Sequence, residues 1–451
     1  MPCPASETLA DYMARSQQLA LPEEVALKTK LHILDTLAAI ISGSRLKPGV
    51  FAARFVGELG GRPEATVLGT DQVTSAVNAA LANGMAAHAD ETDDSHLKAR
   101  AHLGCAVIPA AWALGERQRK SGQAVINAVA LGYDVGARST MALGYGAPKT
   151  QKHSTHSIAA GFGAAAAAAS LSDLAAQQCV FVLSYAAQQT SGIPSWNRDS
   201  EHIEKAFDFG GMGARNGVFA AQIVKAGATG VPDPLTGQHS FLHAFGENAV
   251  QAVLTDGLGS RFEVLDASIK KWCVGSPIQA ALDSLAFLIN EHDVTAADVK
   301  RMIVTMPDDR LHIVSNRDIP DICLQHLLAV TLNDGMLTFA SSHDEARMHD
   351  PAILALRERI SVIPSPELTQ AKPARQAIVA LELGDGRTVE KRTYAVRGTP
   401  DNPMTPEEVQ AKADELMAPV VGSGRAAEIV DTVMRLESVA DIATLRPLLQ
   451  A

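Results

Sequence analysis

Three long segments of this sequence consist largely of small and aliphatic residues at helical spacing. They are residues 123–143, 157–171 and 212–226, and the second contains six consecutive alanines, Ala164 to Ala169. Alanine favours the helix, and alanine and glycine allow two helices to approach closely. Hydrophobic residues make up 47% of the 451-residue chain but aromatic residues only 4%, which favours closely packed helices over a β-sandwich. We therefore predict a multi-helix core.

A different pattern follows after residue 268. Apolar and polar residues alternate over 299–306 and 377–383, which is typical of half-buried strands. The second run continues through Gly384-Asp385-Gly386 into residues 387–395. Turn residues between two alternating runs predict a β-hairpin.

Helical spacing lies between these strands, over residues 323–337 and 350–359. It returns at Thr405 and Pro406, because threonine is a natural N-cap and proline suits the first helical position. The predicted fold is mainly α, with a large all-helical domain interrupted by a smaller α+β lid domain. The predicted boundaries are 1–268 for the first part of the helical domain, 269–400 for the lid, and 401–451 for C-terminal helices that return to the helical domain.

The overall charge and the cysteines restrict the class of protein. A net charge of −11 argues against a nucleic-acid groove or a basic membrane patch, because both require clustered lysine and arginine. The five cysteines are odd in number and widely separated, so they predict reduced thiols without a disulfide framework or a CxxC metal site. No apolar run reaches about 18 residues without a charge. We expect a cytoplasmic protein that binds neither nucleic acid nor membrane.

One strongly charged segment lies between two apolar stretches. Residues 90–102 read DETDDSHLKARAH, with four carboxylates, two histidines, a lysine and an arginine. Ionisable groups between buried helices must be paired, hydrogen-bonded or shifted in pKa, because an unpaired buried charge is costly. Such clusters are candidate active sites. The alternative is a loop whose charges face water.

Two later segments have similar chemistry. Residues 148–156 read PKTQKHSTH and lead into the alanine-rich helix, and residues 202–205 read HIEK and lead through Gly210-Gly211 into the next one. Each places cationic or titratable side chains just before a predicted helix start. Free N–H groups and the helix dipole favour an anion there. If the three helix starts converge, they form a carboxylate-binding pocket.

His102 and His153 are the candidate acid and base. The helix dipole disfavours an imidazolium at a helix start, so a neutral imidazole that can act as a base is accessible near pH 7. We expect His153 to be the base and His102 the acid. Lys205 would stabilise developing negative charge, and Asp90 would orient an imidazole or bind substrate. Each residue taken singly also has a structural explanation, as a buried histidine or a surface lysine.

A metal site is a weaker alternative. The charged segment and its flank contain several possible ligands, namely His88, Asp90, Asp94, His96 and His102. Their spacing matches neither HExxH nor the EF-hand loop. A Ser-His-Asp hydrolase is weaker still, because the sequence has no GxSxG elbow.

The chain resembles the MmgE/PrpD family, which includes 2-methylcitrate dehydratase, cis-aconitate decarboxylase and iminodisuccinate epimerase. Four segments over nearly the whole length carry the resemblance. NGMAAHADETDDSHLKARAH is similar to the family's NG…HALDFDDTH…H, and KHSTHSIAAGFGAAAAAA to its HPT…G.FGAAAAAA. IEKAFDFGGMGARNGVFAAQIVKAGATG is similar to TK..H.G.AARNGV.AA.LA..GFTG, and RGTPDNPMTPEEVQAK to G.P.NPM…E…K.

The resemblance implies a helical domain with an α+β lid, usually a homodimer, acting on small di- or tricarboxylates without metal or organic cofactor. By motif, the site would be lined by Asp90, Ser95, His102, His153 and Lys205. The substrate-binding residues that we predict are Asp94, Ser95, Lys270, Lys271, Gln279 and His326.

Three positions depart from the family pattern. Ser95 stands where the family often has threonine, Gln279 where it usually has histidine, and His326 where it often has tyrosine. We expect Gln279 to orient substrate without titrating, and His326 to take over part of a proton-donor role.

The sequence therefore predicts a cofactor-independent hydro-lyase that resembles 2-methylcitrate dehydratase and removes a proton α to a carboxylate. Epimerisation and decarboxylation need the same stabilisation of an enolate-like intermediate, so both stay open as alternatives. A second alternative is a binding or scaffold protein that has kept the fold and lost activity.

Overall fold

The computed structural model describes residues 4–144 and 152–451. Residues 148–151, the beginning of the second polar segment, lie outside the described residues, as does Cys3. The chain forms two compact units. The first unit, called the helical unit below, comprises the residues up to Ala89, Asp93–Ser268 and Pro406–Ala451, and the second comprises Asp90–Thr92 and Ile269–Thr405.

The helical unit contains most of the helices. They are α1 Ala5–Arg15, α2 Glu23–Gly43, α3 Lys47–Leu59, α4 Ala76–Ala87, α5 Gly104–Gln118, α6 Gly122–Met141, α7 Thr155–Leu171, α8 Ala176–Gln189, α9 Ile203–Ala206, α10 Met212–Lys225, α11 Phe241–Phe245, α18 Pro406–Val421, α19 Ser423–Met434 and α20 Arg446–Leu449. Two short antiparallel pairs accompany them, β1 Ala65–Thr66 with β2 Val73–Thr74 and β3 Ser95–His96 with β4 Ala267–Ser268.

The three predicted small-residue helices are confirmed as α6, α7 and α10. Glycine is required where they touch. A Cβ atom at Gly163 of α7 would lie 2.7 Å from the carbonyl oxygen of Gly132 in α6. One at Gly217 of α10 would lie 2.5 Å from the carbonyl carbon of Ala164 in α7. The alanine- and glycine-rich composition therefore serves close helix packing, as the sequence predicted.

One helix start was predicted wrongly. Helix α9 continues through a π-helical turn, Phe207–Gly211, into α10, and Gly211 has helical dihedral angles (φ −61°, ψ −47°). Lys205 consequently lies inside a continuous helical segment and does not precede a helix start at Met212. Single π-helical turns within α-helices occur frequently at functional sites.

The second unit has α+β structure. Its helices are α12 Gln279–His292, α13 Leu311–Val314, α14 Leu324–Asp334, α15 Phe339–Ser342, α16 Pro351–Arg357 and α17 Pro366–Gln370, and its strands are β5 Val299–Pro307, β6 Ile360–Ser365, β7 Ala377–Leu383 and β8 Thr388–Thr393. The strand order is β6-β5-β7-β8, with β6 parallel to β5 and the other pairs antiparallel.

The α+β prediction is confirmed, and the hairpin occurs as β7 and β8, with Gly386 at φ +91° in the turn. Strand β6 was not predicted. It contains Pro364, which lacks an N–H group, and this suits its position at the edge of the sheet.

The borders of the two units differ in two places from the predicted domains. The chain re-enters the helical unit at Pro406 where residue 401 was predicted, and Asp90–Thr92 group with the second unit. Within the described residues, no helix is long and apolar enough to cross a membrane.

Candidate active site

The centre of the candidate site is a carboxylate held between two imidazoles. Nδ1 of His88 lies 2.9 Å from Oδ2 of Asp93, and Nδ1 of His102 lies 3.2 Å from Oδ1 of the same residue. A carboxylate only accepts hydrogen bonds, so each Nδ1 carries a hydrogen, and in the neutral form of each imidazole Nε2 is left as an acceptor. His88 Nε2 has no hydrogen-bond partner among the described residues.

The elements around this centre fix all three side chains. His88 follows the last residue of α4, Asp93 lies in the loop that follows, and His102 lies two residues before α5 begins. Asp93 is completely buried and His102 retains 8% of its surface. Burial alone would raise the pKa of the Asp93 carboxyl, but the charges and hydrogen bonds of His88 and His102 hold it well below its usual range.

Phe209 packs against three histidine rings. Its ring centroid lies 4.4 Å from that of His88, 5.4 Å from that of His102 and 3.7 Å from that of His156, which stacks nearly parallel at 10°. Phe209 belongs to the π-helical turn. Gly210 lets this turn lie directly against α4, because a Cβ atom at Gly210 would lie 2.1 Å from the Gly84 carbonyl oxygen. This contact fixes the position of the neighbouring Phe209 ring.

Lys205 also lies over the Phe209 ring. Its Nζ is 5.4 Å from the Phe209 ring centroid and 5.8 Å from that of Trp196. Trp196 in turn meets His156 edge-on at 5.4 Å. The structure therefore brings together two of the predicted residues, His102 and Lys205, and adds His88, His156 and an aromatic surface.

The charges of this cluster suit an anion. The pKa of His156 is held well below its usual range, first by loss of solvent and then by the charges of His102, His88 and Lys205. The pKa of His88 is also lowered, first by burial. A bound anion would offset these repulsions and favour proton uptake by the imidazoles.

Asp208, beside Phe209, is a buried acid next to the cluster. It accepts a hydrogen bond from the Ser154 hydroxyl, to which Trp196 Nε1 donates at 3.3 Å. Burial, followed by the negative charge of Glu204, raises its pKa to about 7. Its protonation state therefore changes near neutral pH.

Two groups in the helical unit have the proximity that a metal ion requires. The possible ligand atoms of His88, Asp93 and His102 lie within 4.8 Å of one another, as do those of His96, Glu263 and Asp266. In the first group, a metal ion bound through Nδ1 would have to replace the two imidazole–carboxylate hydrogen bonds. In the second, the cations of Arg261 and Lys98 already pair with Glu263 and Asp266. Hydrogen bonding and ion pairing account for both arrangements.

His153 packs against a different aromatic ring from the one that joins the other histidines. Its ring meets Phe245 edge-on at 4.7 Å, and the side chain is half-buried. His156 is three residues further on, in the first turn of α7, and occupies the place beside His102 that the sequence analysis gave to His153. Both histidines flank the start of α7, so their spacing along the chain could not separate them.

Two other predicted residues of the helical unit are buried in its framework. Ser95 is paired with Ser268 across β3 and β4, and is 5% exposed. Asp94 is 1% exposed and binds three groups of the framework, which are described below. Direct contact of Asp94 or Ser95 with substrate stays a prediction.

Asp90 belongs to the second unit and forms a buried ion pair there. His343 Nε2 lies 3.0 Å from Asp90 Oδ2, and the hydroxyl and backbone N–H of Thr92 donate to the same carboxylate. Burial lowers the pKa of His343, but the hydrogen bond and charge of Asp90 outweigh it and raise the pKa to about 9. Asp90 is therefore paired with the imidazole of His343, and its role at the active site stays a prediction.

The two predicted lysines of the second unit have acidic partners. Lys270 Nζ lies 2.5 Å from the carbonyl oxygen and 3.5 Å from the carboxylate of Glu91. Lys271 Nζ lies 4.0 Å from the Asp283 carboxylate and 4.5 Å from the Trp272 ring centroid. Lys270 is 3% exposed.

Gln279 holds a loop of the second unit. Its Oε1 accepts from the backbone N–H of Trp272, and its Nε2 donates to the carbonyl oxygens of Trp272 at 2.7 Å and Val274 at 3.0 Å. Both amide hydrogens are therefore used by the backbone. A role in orienting substrate stays a prediction.

His326 is completely buried, and neither ring nitrogen has a hydrogen-bond partner among the described residues. Burial, followed by the charges of Arg357 and Arg347, lowers its pKa to about 4. It is neutral near pH 7, which weakens the expected role as a proton donor.

Sequence reasoning did not assign roles to Asp93, His156, Phe209 and Trp196. The sequence did contain a signal for Asp93. Asp93 and Asp94 are consecutive carboxylates between histidines, and neighbouring side chains point in different directions, so one of the two could be expected to bind a histidine. The aromatic residues gave none, since Phe209 reaches the site only through the π-helical turn.

This chain belongs to the MmgE/PrpD family. Residues 7–252 match the MmgE/PrpD N-terminal domain and residues 272–438 match the MmgE/PrpD C-terminal domain. The predicted family is thereby confirmed.

A curated relative covers almost the same length. The cis-aconitate decarboxylase-like protein oryM of Aspergillus oryzae is 24% identical over 475 residues, a match that spans 98% of this chain and 96% of that protein.

Proposed function

We propose that this protein is a lyase that needs no added cofactor and removes a proton α to a carboxylate of a small di- or tricarboxylic acid. The first candidate reaction is dehydration. The observation that carries the proposal is the Asp93–His102 pair together with Lys205. His102, held by Asp93, is an oriented imidazole acceptor, and Lys205 is a cation over the Phe209 ring. Membership of a family that includes dehydratases and decarboxylase-like enzymes supports enzymatic activity.

In this mechanism His102 Nε2 accepts the proton from the carbon next to a carboxylate. The electron pair of the broken C–H bond forms a carbon–carbon double bond, and the hydroxyl on the neighbouring carbon leaves as water after gaining a proton. His156, whose ring centroid lies 5.3 Å from that of His102, is the partner histidine that supplies this proton, after the negative charge of the bound acid has offset the repulsions that lower its pKa and has favoured its protonation. Lys205 stabilises the negative charge that develops on the carboxylate.

Asp93 fixes the tautomer of His102 and stabilises the imidazolium that forms, as carboxylates do behind catalytic histidines in other enzymes. The sequence analysis assigned the base to His153 and the acid to His102. The geometry favours His102 as the base, because its Nδ1–H is committed to Asp93.

Decarboxylation is the second candidate, and the name of the Aspergillus relative favours it. A carbon–carbon bond to a carboxylate then breaks, carbon dioxide leaves, and the carbanion gains a proton from the same imidazoles. Lys205 would have the same task, since negative charge develops next to a carboxylate in both reactions.

A substrate screen tests the proposal. The protein is incubated in D2O with citrate, 2-methylcitrate, cis-aconitate and smaller dicarboxylates, with and without EDTA. We expect deuterium at Cα, an alkene product or carbon dioxide with at least one acid, and no loss of activity with EDTA. Lys205→Met should lower kcat/KM about a hundredfold or more.

Absence of exchange and product over the whole panel would favour the binding or scaffold alternative. Loss of activity with EDTA and its recovery with one metal would reject the cofactor-independent mechanism.

We also propose a homodimer and a cytoplasmic location. No disulfide joins the four cysteines in the described part of the chain, which suits a reducing compartment.

A further inference from the structure

Asp94 lies next to Asp93 in sequence but binds different groups. The Tyr133 hydroxyl donates to Asp94 Oδ2, and His32 Nδ1 lies 2.9 Å from the same oxygen. Tyr133 on α6 and His32 on α2 are completely buried. Three polar side chains from three parts of the helical unit therefore meet behind the candidate site.

The other oxygen of Asp94 holds the start of α5. Asp94 Oδ1 accepts the backbone N–H of Gly104 at 3.0 Å. Gly104 is the first residue of α5 and follows His102 by two residues. Two consecutive carboxylates thus hold one short loop at two points, since Asp93 holds the ring of His102 and Asp94 the backbone just beyond it.

The packing at this point is tight. A Cβ atom at Gly104 would lie 2.7 Å from Thr36 Oγ1 and 2.9 Å from the Tyr133 hydroxyl oxygen. The glycine therefore allows the helix start to sit directly on the network formed by His32, Asp94 and Tyr133.

This network is more elaborate than a helix cap requires. A serine or an asparagine would satisfy the Gly104 N–H without a buried charge. Burial alone would raise the pKa of the Asp94 carboxyl, but the hydrogen bonds of His32 and Tyr133 lower it and keep the group ionised. The fold thus maintains a buried carboxylate at the base of the loop that carries His102.

We propose that Asp94, His32 and Tyr133 are positioning residues for His102: they fix the loop so that its Nδ1 meets Asp93 and its Nε2 faces the substrate. This assigns Asp94 to the support of the site, where the sequence analysis placed it among the substrate contacts. The catalytic part of the inference rests on the proposed function, and the structural part does not.

A pair of matched variants tests the inference. Tyr133→Phe removes the hydroxyl that donates to Asp94, and Tyr12→Phe removes a hydroxyl that donates to a second buried carboxylate, Asp134, at 2.7 Å. Both changes delete one oxygen from a buried tyrosine–aspartate pair of the helical unit. They differ in that only Asp94 also binds the loop that carries His102.

The first measurement is the Nδ1–H proton resonance of His102 in substrate-free, histidine-labelled protein, assigned with His102→Gln. We expect Tyr133→Phe to shift or broaden it and Tyr12→Phe to leave it unchanged. In turnover, Tyr133→Phe should lower kcat about tenfold to a hundredfold with little change in KM, because small displacements of a catalytic group have effects of this size.

A second pair of variants covers the case in which Tyr133→Phe does not fold. His32→Gln keeps a side-chain N–H donor for Asp94 and should retain the resonance and most of kcat, whereas His32→Leu should lose both. If the His102 resonance is unchanged in Tyr133→Phe and His32→Leu, the network is only a structural cap and the inference is wrong. If no acid is turned over but the resonance moves, the proposed function fails and the positioning role stands.

Discussion

At the scale of single residues, the helical unit distinguishes two histidines that the sequence presents as equivalent. His102 donates to Asp93 and faces Phe209, whereas His153 lies against Phe245. The polar segments and the meeting of His102 and Lys205 in one cluster were predictable, because clustered ionisable groups beside apolar helices are unusual. The choice between His153 and His156 could not be predicted, because it depends on which side of the start of α7 faces His102.

A comparison of three histidine variants tests this distinction. His102→Gln should lower kcat/KM by about a hundredfold to ten-thousandfold, the usual contribution of a positioned acid or base. His156→Gln should be strongly impaired as well, and His153→Gln should stay close to wild type. Steady-state kinetics with the substrate found by the screen provide the measurement. A large loss in His153→Gln with normal activity in His156→Gln would restore the sequence-based assignment.

Asp208 makes stability depend on pH. Its pKa is about 7 in the folded protein and lies near 3.9 in an unfolded chain, so its favourable contribution is complete below about pH 4 and is lost as the pH rises through 7. Asp208→Asn cannot ionise. The unfolding free energy of this variant relative to wild type should therefore rise between pH 4 and pH 8, by at most about 4 kcal/mol.

Urea unfolding at a series of pH values measures this change. Asp298→Asn is a control for which the unfolding free energy relative to wild type should change with pH in the opposite direction. The reason is that hydrogen bonds from Thr295 lower the pKa of Asp298 in the folded state. A difference between Asp208→Asn and wild type that does not vary with pH would contradict the raised pKa.

At the scale of helices and strands, regular patterns were predictable and irregular ones were not. The small-residue helices and the β7–β8 hairpin follow from local spacing and turn residues. Strand β6 has no clear alternation of buried and exposed residues, and its parallel pairing with β5 depends on a distant part of the chain. The π-helical turn at Phe207–Gly211 is likewise set by packing against α4, which the sequence of the turn does not reveal.

The contact between Gly210 and α4 gives a test of this packing. Gly210→Ala places a Cβ atom 2.1 Å from the Gly84 carbonyl oxygen, so the π-helical turn and Phe209 must move. We expect a loss of about 1–3 kcal/mol in unfolding free energy, the usual cost of overpacking, together with reduced activity.

Gly161→Ala is the matched control. Gly161 lies in α7, and a Cβ atom there would have no neighbour within 4 Å. Because alanine is the better helix former, this variant should be neutral or more stable by about 0.5–1 kcal/mol. Equal destabilisation of both variants in urea unfolding would show that close packing at Gly210 is not the cause.

At the scale of the whole molecule, α3 presents an apolar stripe to solvent. Val50, Phe51, Phe55 and Leu59 are each at least 40% exposed, and the rings of Phe51 and Phe55 are parallel with centroids 6.4 Å apart. Soluble monomers rarely leave a contiguous apolar surface of this kind uncovered. In the proposed homodimer, this stripe is the surface that we expect to meet its symmetry-related copy.

Charged substitutions on α3 test this expectation. Phe55→Glu should convert the dimer to a monomer at micromolar concentration, as measured by light scattering during size-exclusion chromatography. Leu354→Glu changes an equally exposed residue of α16 in the second unit and should leave the mass unchanged. A monomeric wild-type protein, or a Phe55→Glu variant that is still dimeric, would contradict this interface.

The π-helical turn also limits how this site can change during evolution. A π-helical turn amounts to an α-helix with one inserted residue, and each residue of an α-helix accounts for about 100° of rotation. Deletion of one residue from Phe207–Gly211 would therefore leave a regular helix but rotate Lys205 by about 100° relative to α10. A single-codon deletion could thus abolish the chemistry while the fold persists, so alignment gaps at this segment would separate active homologues from inactive ones.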